Sequence, residues 1–197
     1  FTWTRPLTGT PNGDAPSLLN SSYTFKVEVE IPQGGAEGML ITQGGRFGGY
    51  GFYLLKGKPV FLWNLVDLKR IRWEGPELAP GKHMLEFEFK YAGLGAGTMA
   101  FGSYSGLGQG GTGVLKVDGK DVATQKMEHT IPFILQWDEA LDIGSDTGTP
   151  VNDADYKTPF AFTGKLNKIT LTIDRPKLSP EDVKKLEAAQ RNNKASE

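Results

Sequence analysis

The stretch "SYTFKVEVEI", Ser22–Ile31, alternates apolar and polar residues from end to end. Tyr23, Phe25, Val27, Val29 and Ile31 share one face, while Lys26, Glu28 and Glu30 take the other, which is the period of a half-buried β-strand. Two further stretches repeat the pattern. In "KHMLEFEFKY" (82–91), Leu85, Phe87 and Phe89 oppose Glu86, Glu88 and Lys90. In "FTGKLNKITLTI" (162–173), Leu166, Ile169, Leu171 and Ile173 line up except for one slip in phase that suits a β-bulge. Shorter strands are expected at 39–43, 50–55, 59–64, 68–74, 113–117, 121–128 and 132–136. The connections are chemically explicit. Lys56-Gly57 and Asp118-Gly119 mark tight hairpins, and Pro80-Gly81 marks a further turn. Many short strands with regular turn signals predict an all-β chain, an antiparallel sandwich of two packed sheets.

Outward from these strands the organisation is simple. Residues 1–20, rich in Pro, Gly, Thr and Asn, read as a linker-like segment; 21–175 form the sandwich domain; 176–197 form a short C-terminal α-helix and tail. The helix signal is Ser179 as N-cap, Pro180 at the first helical position, and Glu181 and Asp182 in the first turn. Its apolar stripe is only Val183 and Leu186, which places it on the surface.

Composition removes several function classes. The chain has 197 residues and a formal net charge of −1, so it carries no basic field for nucleic acid or anionic lipid. It has no cysteine, which excludes disulfides, thiol nucleophiles and thiolate zinc sites. No stretch reaches the roughly 18 apolar residues of a membrane-spanning helix. The sequence starts at Phe1 with no charged and apolar leader, and the expectation is that either something was removed upstream or this is a piece of a longer polypeptide.

Candidate sites fall into several groups. The glycine-dense segment 92–113 contains Gly106-Leu-Gly-Gln-Gly-Gly111, but a strand and hairpin follow where a dinucleotide site needs a helix. Glu86 and Glu88 lie about 6–7 Å apart on one strand face, and with Glu74 they are the candidates for a glycosidase or lyase. Lys90 on the same face favours an ordinary ion-paired surface instead. Asp142, Asp146, Asp153 and Asp155 crowd a Gly-, Thr- and Pro-rich loop that suits a structural Ca²⁺, although Asp also organises loops unaided. Tyr50, Trp63 and Trp73 are candidate rings for stacking on sugar, with core packing as the alternative for each. His83 and His129 stand far apart without a partner motif and read as structural.

The glycine pairs of "QGGRFGGYGF" (43–52) set Arg46 and Phe47 on a corner between two strands. The block from Glu37 to Gly49, with "PGKH" (80–83), "VDGK" (117–120), "DIGSDTGTPV" (142–151) and "PFAFTG" (159–164), resembles in order the C-terminal region of large bacterial arylsulfatases. The resemblance implies a concanavalin- or jelly-roll-like sandwich attached behind a sulfatase catalytic domain. It also implies a periplasmic or extracellular setting. No Cys/Ser-x-Pro-x-Arg nucleophile motif is present, so no sulfatase catalytic residue carries over. The leading expectation is therefore a non-catalytic accessory domain whose partner is that catalytic domain, with Arg46 and Phe47 at the contact. A carbohydrate-binding module is the alternative, with Tyr50, Trp63 or Trp73 as platform, and a sandwich-fold glycosidase or lyase is a third.

Overall fold

A computed structural model describes residues 1–93, 108–131, 139–175, 179–181, 183–184 and 187–188. Among the described residues, twelve strands form two six-stranded sheets. Sheet A runs β1 (Thr2–Trp3), β12 (Lys165–Asp174), β3 (Ser22–Ile31), β8 (Gly81–Tyr91), β9 (Gln109–Val117), β10 (Lys120–His129). Sheet B runs β2 (Leu7–Thr10), β11 (Leu141–Ile143), β4 (Gly38–Gly45), β5 (Gly48–Leu55), β6 (Lys58–Leu65), β7 (Lys69–Glu74). All neighbouring strands are antiparallel. The expected strand at 132–136 lies outside the described residues, as does most of the glycine-dense segment.

The alternation of β3, β8 and β12 is what packs the sheets. Phe25, Val27, Leu85, Phe87, Ile169 and Leu171 from sheet A are fully buried against Phe52, Leu54, Phe61 and Trp73 from sheet B. Phe61 and Phe87 meet across the interface as a stacked pair with centroids 3.6 Å apart. On the outer face of sheet A the expected ion pairs are present: Lys26–Glu86 at 3.3 Å, Lys116–Glu88 at 3.0 Å and Lys168–Glu28 at 2.6 Å. The phase slip in β12 is a register irregularity between Leu166 and Lys168 opposite β3. The two tight hairpins turn through Lys56-Gly57 and Asp118-Gly119, each pair at positive φ as a type I′ turn requires.

Three features depart from the sequence reading. Strands β4 to β6 are buried on both faces, because residues 145–162 fold over the outside of sheet B. Val151, Tyr156 and Phe160 there close a second small core on Met39, Tyr53, Val60 and Leu62. The segment read as a linker supplies β1 to sheet A and β2 to sheet B, and its remainder covers one end of the sandwich, with Leu18 buried. Strand β11 was not anticipated, since three residues carry too little periodicity to show. At the C-terminus, residues 180–181, 183–184 and 187–188 are helical, and the Val183 amide donates to the Ser179 carbonyl at 3.0 Å.

Candidate functional site

The β4–β5 and β6–β7 turns project from the same end of sheet B. The first must bend tightly: Gly44 (φ +82°) and Gly49 (φ +144°) sit opposite one another, and a Cβ on Gly49 would lie 2.2 Å from the Gln43 carbonyl oxygen. Asn64, fully buried, ties the two turns together. Its Nδ2 donates to the carbonyls of Gly45 (3.1 Å) and Arg46 (2.8 Å), and its Oδ1 accepts from the Asp67 amide (2.9 Å). From the other side, the Arg46 amide donates to Thr149 Oγ1 at 3.0 Å, and Thr149 in turn bonds Glu139. The Arg46 guanidinium pairs with Asp153 at 3.4 Å. Phe47 is left outside, 71% exposed, and Leu68 on the adjacent turn is 88% exposed.

Beneath these tips lies a small pocket of about 40 Å³, lined by Asn12, Ser17, Leu18, Leu19, Gln43, Gly49, Tyr50 and Trp63. Strands β4, β5 and β6 supply its floor, and residues 12–19 its roof. The Gln43 amide nitrogen donates to Asn12 Oδ1 at 2.9 Å, joining roof to floor. Trp63 Nε1 donates to the Tyr23 hydroxyl at 2.7 Å. Burial holds the Tyr23 and Tyr50 hydroxyls well above the ordinary phenol range, so both stay neutral. The arrangement can offer apolar ring surface and a few fixed neutral hydrogen-bonding groups, with no charge among the lining side chains.

The residues proposed from sequence thus separate. Arg46 and Phe47 form the β4–β5 turn, and Tyr50 and Trp63 line the pocket at the same end of the sheet. Trp73 is not there. It is 1% exposed in the core, where Nε1 donates to the Gly113 carbonyl at 2.9 Å and the ring meets Phe87 edge-on. Tyr50 and Trp63 are also buried, as wall rather than open platform. Asn12, Gln43 and the 17–19 segment were missed. Their only signal was a polar, loop-like composition, which says nothing of where the loop lands.

The four aspartates bind the protein itself. Asp142 accepts from the Gly9 amide (2.7 Å) and from the Thr147 amide (2.9 Å) and hydroxyl (2.6 Å). Asp146 accepts from the Tyr156 hydroxyl at 2.5 Å and the Gly148 amide at 3.2 Å. Burial, aided by nearby Asp142 and Glu139, pushes its carboxyl up to about 6 against those two donors. Asp155 takes Tyr53 and Arg72, and Asp153 takes Arg46. Among the described residues no three acidic or histidine side chains gather as a metal site, and the hydrogen bonds of these carboxylates organise the 142–156 loop. Glu86 and Glu88 lie in the ion-paired outer face of sheet A, and Glu74 on β7 pairs with Lys58 and Arg72. These three are spread over two sheets and taken up in ion pairs, so they do not form the paired carboxylates that glycoside hydrolysis uses. His83 is clamped between Asp118 and the Ala79 carbonyl, both at 2.8 Å, in agreement with its structural reading.

Fold and site together define a jelly-roll sandwich with a small neutral pocket at one end, and the comparisons with known proteins agree on the fold. No protein-family model matches the sequence. No curated protein matches it either. Among solved structures, the CBM40 carbohydrate-binding module of the Ruminococcus gnavus IT-sialidase bound to α2,3-sialyllactose aligns with TM-score 0.54 at 13% identity, over 96% of this chain and 98% of that one. The same module bound to α2,6-sialyllactose aligns with TM-score 0.51 at 12% identity, over 96% and 97%. The leech intramolecular trans-sialidase complexed with 2,7-anhydro-Neu5Ac aligns with TM-score 0.54 at 10% identity, over 96% of this chain but 27% of that chain. At these identities the likeness establishes the all-β sandwich.

The arylsulfatase resemblance is overturned: the structural neighbours are sialidase carbohydrate-binding modules, not sulfatase C-terminal domains. Its motifs have ordinary structural duties. Gly44 and Gly49 permit close strand approach, Asp118-Gly119 closes a hairpin, and the 142–156 loop covers sheet B. Turn chemistry of that kind recurs wherever strands must reverse over a packed core.

Proposed function

We propose that the chain is a non-catalytic carbohydrate-binding module that takes its glycan at the β4–β5 end of the sandwich. The observation that carries this reading is co-extension: the chain aligns almost end to end with a self-contained carbohydrate-binding module, over 96% of one and 98% of the other. The local chemistry supports it. An exposed ring, Phe47, stands on a braced tip above a pocket walled by Tyr50 and Trp63 and rimmed by Asn12, Ser17 and Gln43. Sugars are recognised by just this pairing of apolar ring surface with fixed neutral hydrogen-bonding groups. Because the structural neighbours were solved with sialyllactoses, sialylated lactose and its lactose core are the first glycans to test.

The test is a glycan array with the folded chain immobilised, carrying lactose, α2,3-sialyllactose, α2,6-sialyllactose and neutral plant and animal oligosaccharides. Saturable binding to at least one class is expected, with Kd in the micromolar to millimolar range, about 4–8 kcal/mol. Phe47→Ala should weaken it several-fold while leaving stability within about 0.5 kcal/mol, since the ring packs on little in the free protein. A folded chain that binds no glycan on the array contradicts the reading.

A further inference from the structure

His83 stands on the inner face of β8, in line with the buried Leu85, Phe87 and Phe89, at the end of the sandwich away from the β4–β5 turn. Its side chain is 14% exposed. Nδ1 lies 2.8 Å from Asp118 Oδ2, and Nε2 lies 2.8 Å from the Ala79 carbonyl oxygen. A carbonyl oxygen only accepts, so Nε2 must carry a proton. Asp118 is committed as well, since its other oxygen takes the Met84 amide at 2.9 Å. Partial burial works against its charge, but that amide and the His83 ring hold the carboxyl below its ordinary 3.8. Asp118 is therefore ionised wherever an imidazole titrates, and Nδ1 must carry a proton too. A neutral imidazole has one N–H and can serve one of these oxygens; the imidazolium serves both.

The two oxygens belong to different parts of the fold. Ala79 lies on residues 75–80, which carry the chain from β7 of sheet B to β8 of sheet A. This crossover is tied to the β5–β6 hairpin by the Gly75 and Leu78 amides, which donate to the Pro59 and Gly57 carbonyls, both at 2.9 Å, and Leu78 is buried in the core. Asp118 belongs to the β9–β10 turn. We propose that His83 is a pH-sensitive clasp, whose imidazolium fastens the sheet-to-sheet crossover at Ala79 to the β9–β10 turn at Asp118 and whose loss of one proton opens the Ala79 end. The proton lost is the one on Nε2, because the carboxylate keeps the charge-assisted N–H. Two lone pairs then face each other where the bond to Ala79 stood. Asp118 is the charged group that faces the ring, and Lys120 acts on that carboxylate. Strand β3 presents the apolar Val29 opposite, the crossover presents a carbonyl, and Lys82 and Met84 alternate onto the outer face of β8. Partial burial alone would lower the His83 pKa, but the bonds to Asp118 and Ala79 and the charge of Asp118 outweigh it and raise it above the ordinary 6.5. The stabilisation is then complete below 6.5 and is lost as pH rises through the folded value. The clasp is independent of what binds at the β4–β5 end.

The test is NMR of the ¹⁵N-labelled chain from about pH 5 to about pH 9, with the ring signals of His83 told from those of His129 by the His83→Gln variant. Expected at neutral pH are the ring nitrogen shifts of an imidazolium, both nitrogens protonated, with a midpoint above 6.5. Asp118→Asn should lower that midpoint, because it removes the charge that favours the protonated ring. Above the midpoint, exchange of the Leu78 amide should quicken about three- to tenfold beyond the rise that hydroxide catalysis gives, the factor one hydrogen bond supplies. His83→Gln does not titrate and should lose that extra step, along with the matching fall in melting temperature. The difference between wild type and His83→Gln also sets aside Asp146, which titrates near 6. A neutral ring with a single N–H at neutral pH, a midpoint at or below 6.5, or the same pH profile of Leu78 exchange in wild type and His83→Gln overturns the proposal. The ring titration is read on the wild type, so it decides whether or not a variant folds.

Discussion

Trp73 and Phe47 show how little a residue type says by itself. Both are aromatic candidates for a sugar platform, yet one is sealed in the core and the other stands free on a turn. Trp73→Ala is expected to lower stability by about 3–5 kcal/mol, measured by chemical denaturation, because it empties a packed site and removes the hydrogen bond to the Gly113 carbonyl. Gly113 belongs to the same contact: a Cβ there would lie 2.6 Å from the Trp73 ring, so this glycine is a packing residue and not a loop residue. Asp146 supplies a pH signature. Its carboxyl titrates near 6 in the folded chain against 3.8 ordinarily, chiefly through burial. The folded state then holds more protons than the unfolded state between those values, so stability falls as pH rises from about 4 to about 6 and levels off above. The size is on the order of 1–2 kcal/mol, and Asp146→Asn should flatten the profile in that window in denaturant titrations at stepped pH.

Between single side chains and the whole fold, the decisive unit is the pair of turns held by Asn64. Asn64→Ala removes three hydrogen bonds from a buried position and should cost about 2–3 kcal/mol. It should also release the Arg46-Phe47 tip, so glycan affinity is expected to fall with it, read by titration on a sample that circular dichroism shows to be folded. Gly49→Ala is a harsher change of the same element, forcing a Cβ onto the Gln43 carbonyl at positive φ, and should cost about 2 kcal/mol or more by thermal melt. At this level the sequence was readable in a specific way. Strands with one wet face, β3 above all, announced themselves through their alternation, and the I′ hairpins through Asp-Gly and Lys-Gly. Strands β4 to β6 are apolar on both faces, so their pattern carried no orientation, and nothing local foretold that residues 145–162 would cover them. Strands β1, β2 and β11 are two to four residues long, and their partners are far away in sequence, so composition alone read the first twenty residues as a linker.

For the molecule as a whole, the same distance effect explains the site. Tyr50 and Trp63 were legible as aromatics, but Asn12, Ser17, Leu18 and Leu19 reach them only because the chain start crosses the end of the sandwich. A pocket assembled from separate segments has no motif. The motifs that did stand out mark turns and loop coverage, which is why they pointed to an unrelated family while the strand pattern pointed to the right architecture. The outer face of sheet A is a ladder of paired charges and the outside of sheet B is largely covered by a loop, which leaves the β4–β5 end as the place where aromatic surface, neutral polar groups and a braced scaffold coincide. The measurement that tests this most directly is mapping of amide chemical shifts with the best glycan from the array. Shifts concentrated in residues 12–19, 43–50 and 63–68, weakened in Phe47→Ala, are expected. Shifts confined to the outer face of sheet A or to residues 145–162, with the β4–β5 end silent, would contradict that placement.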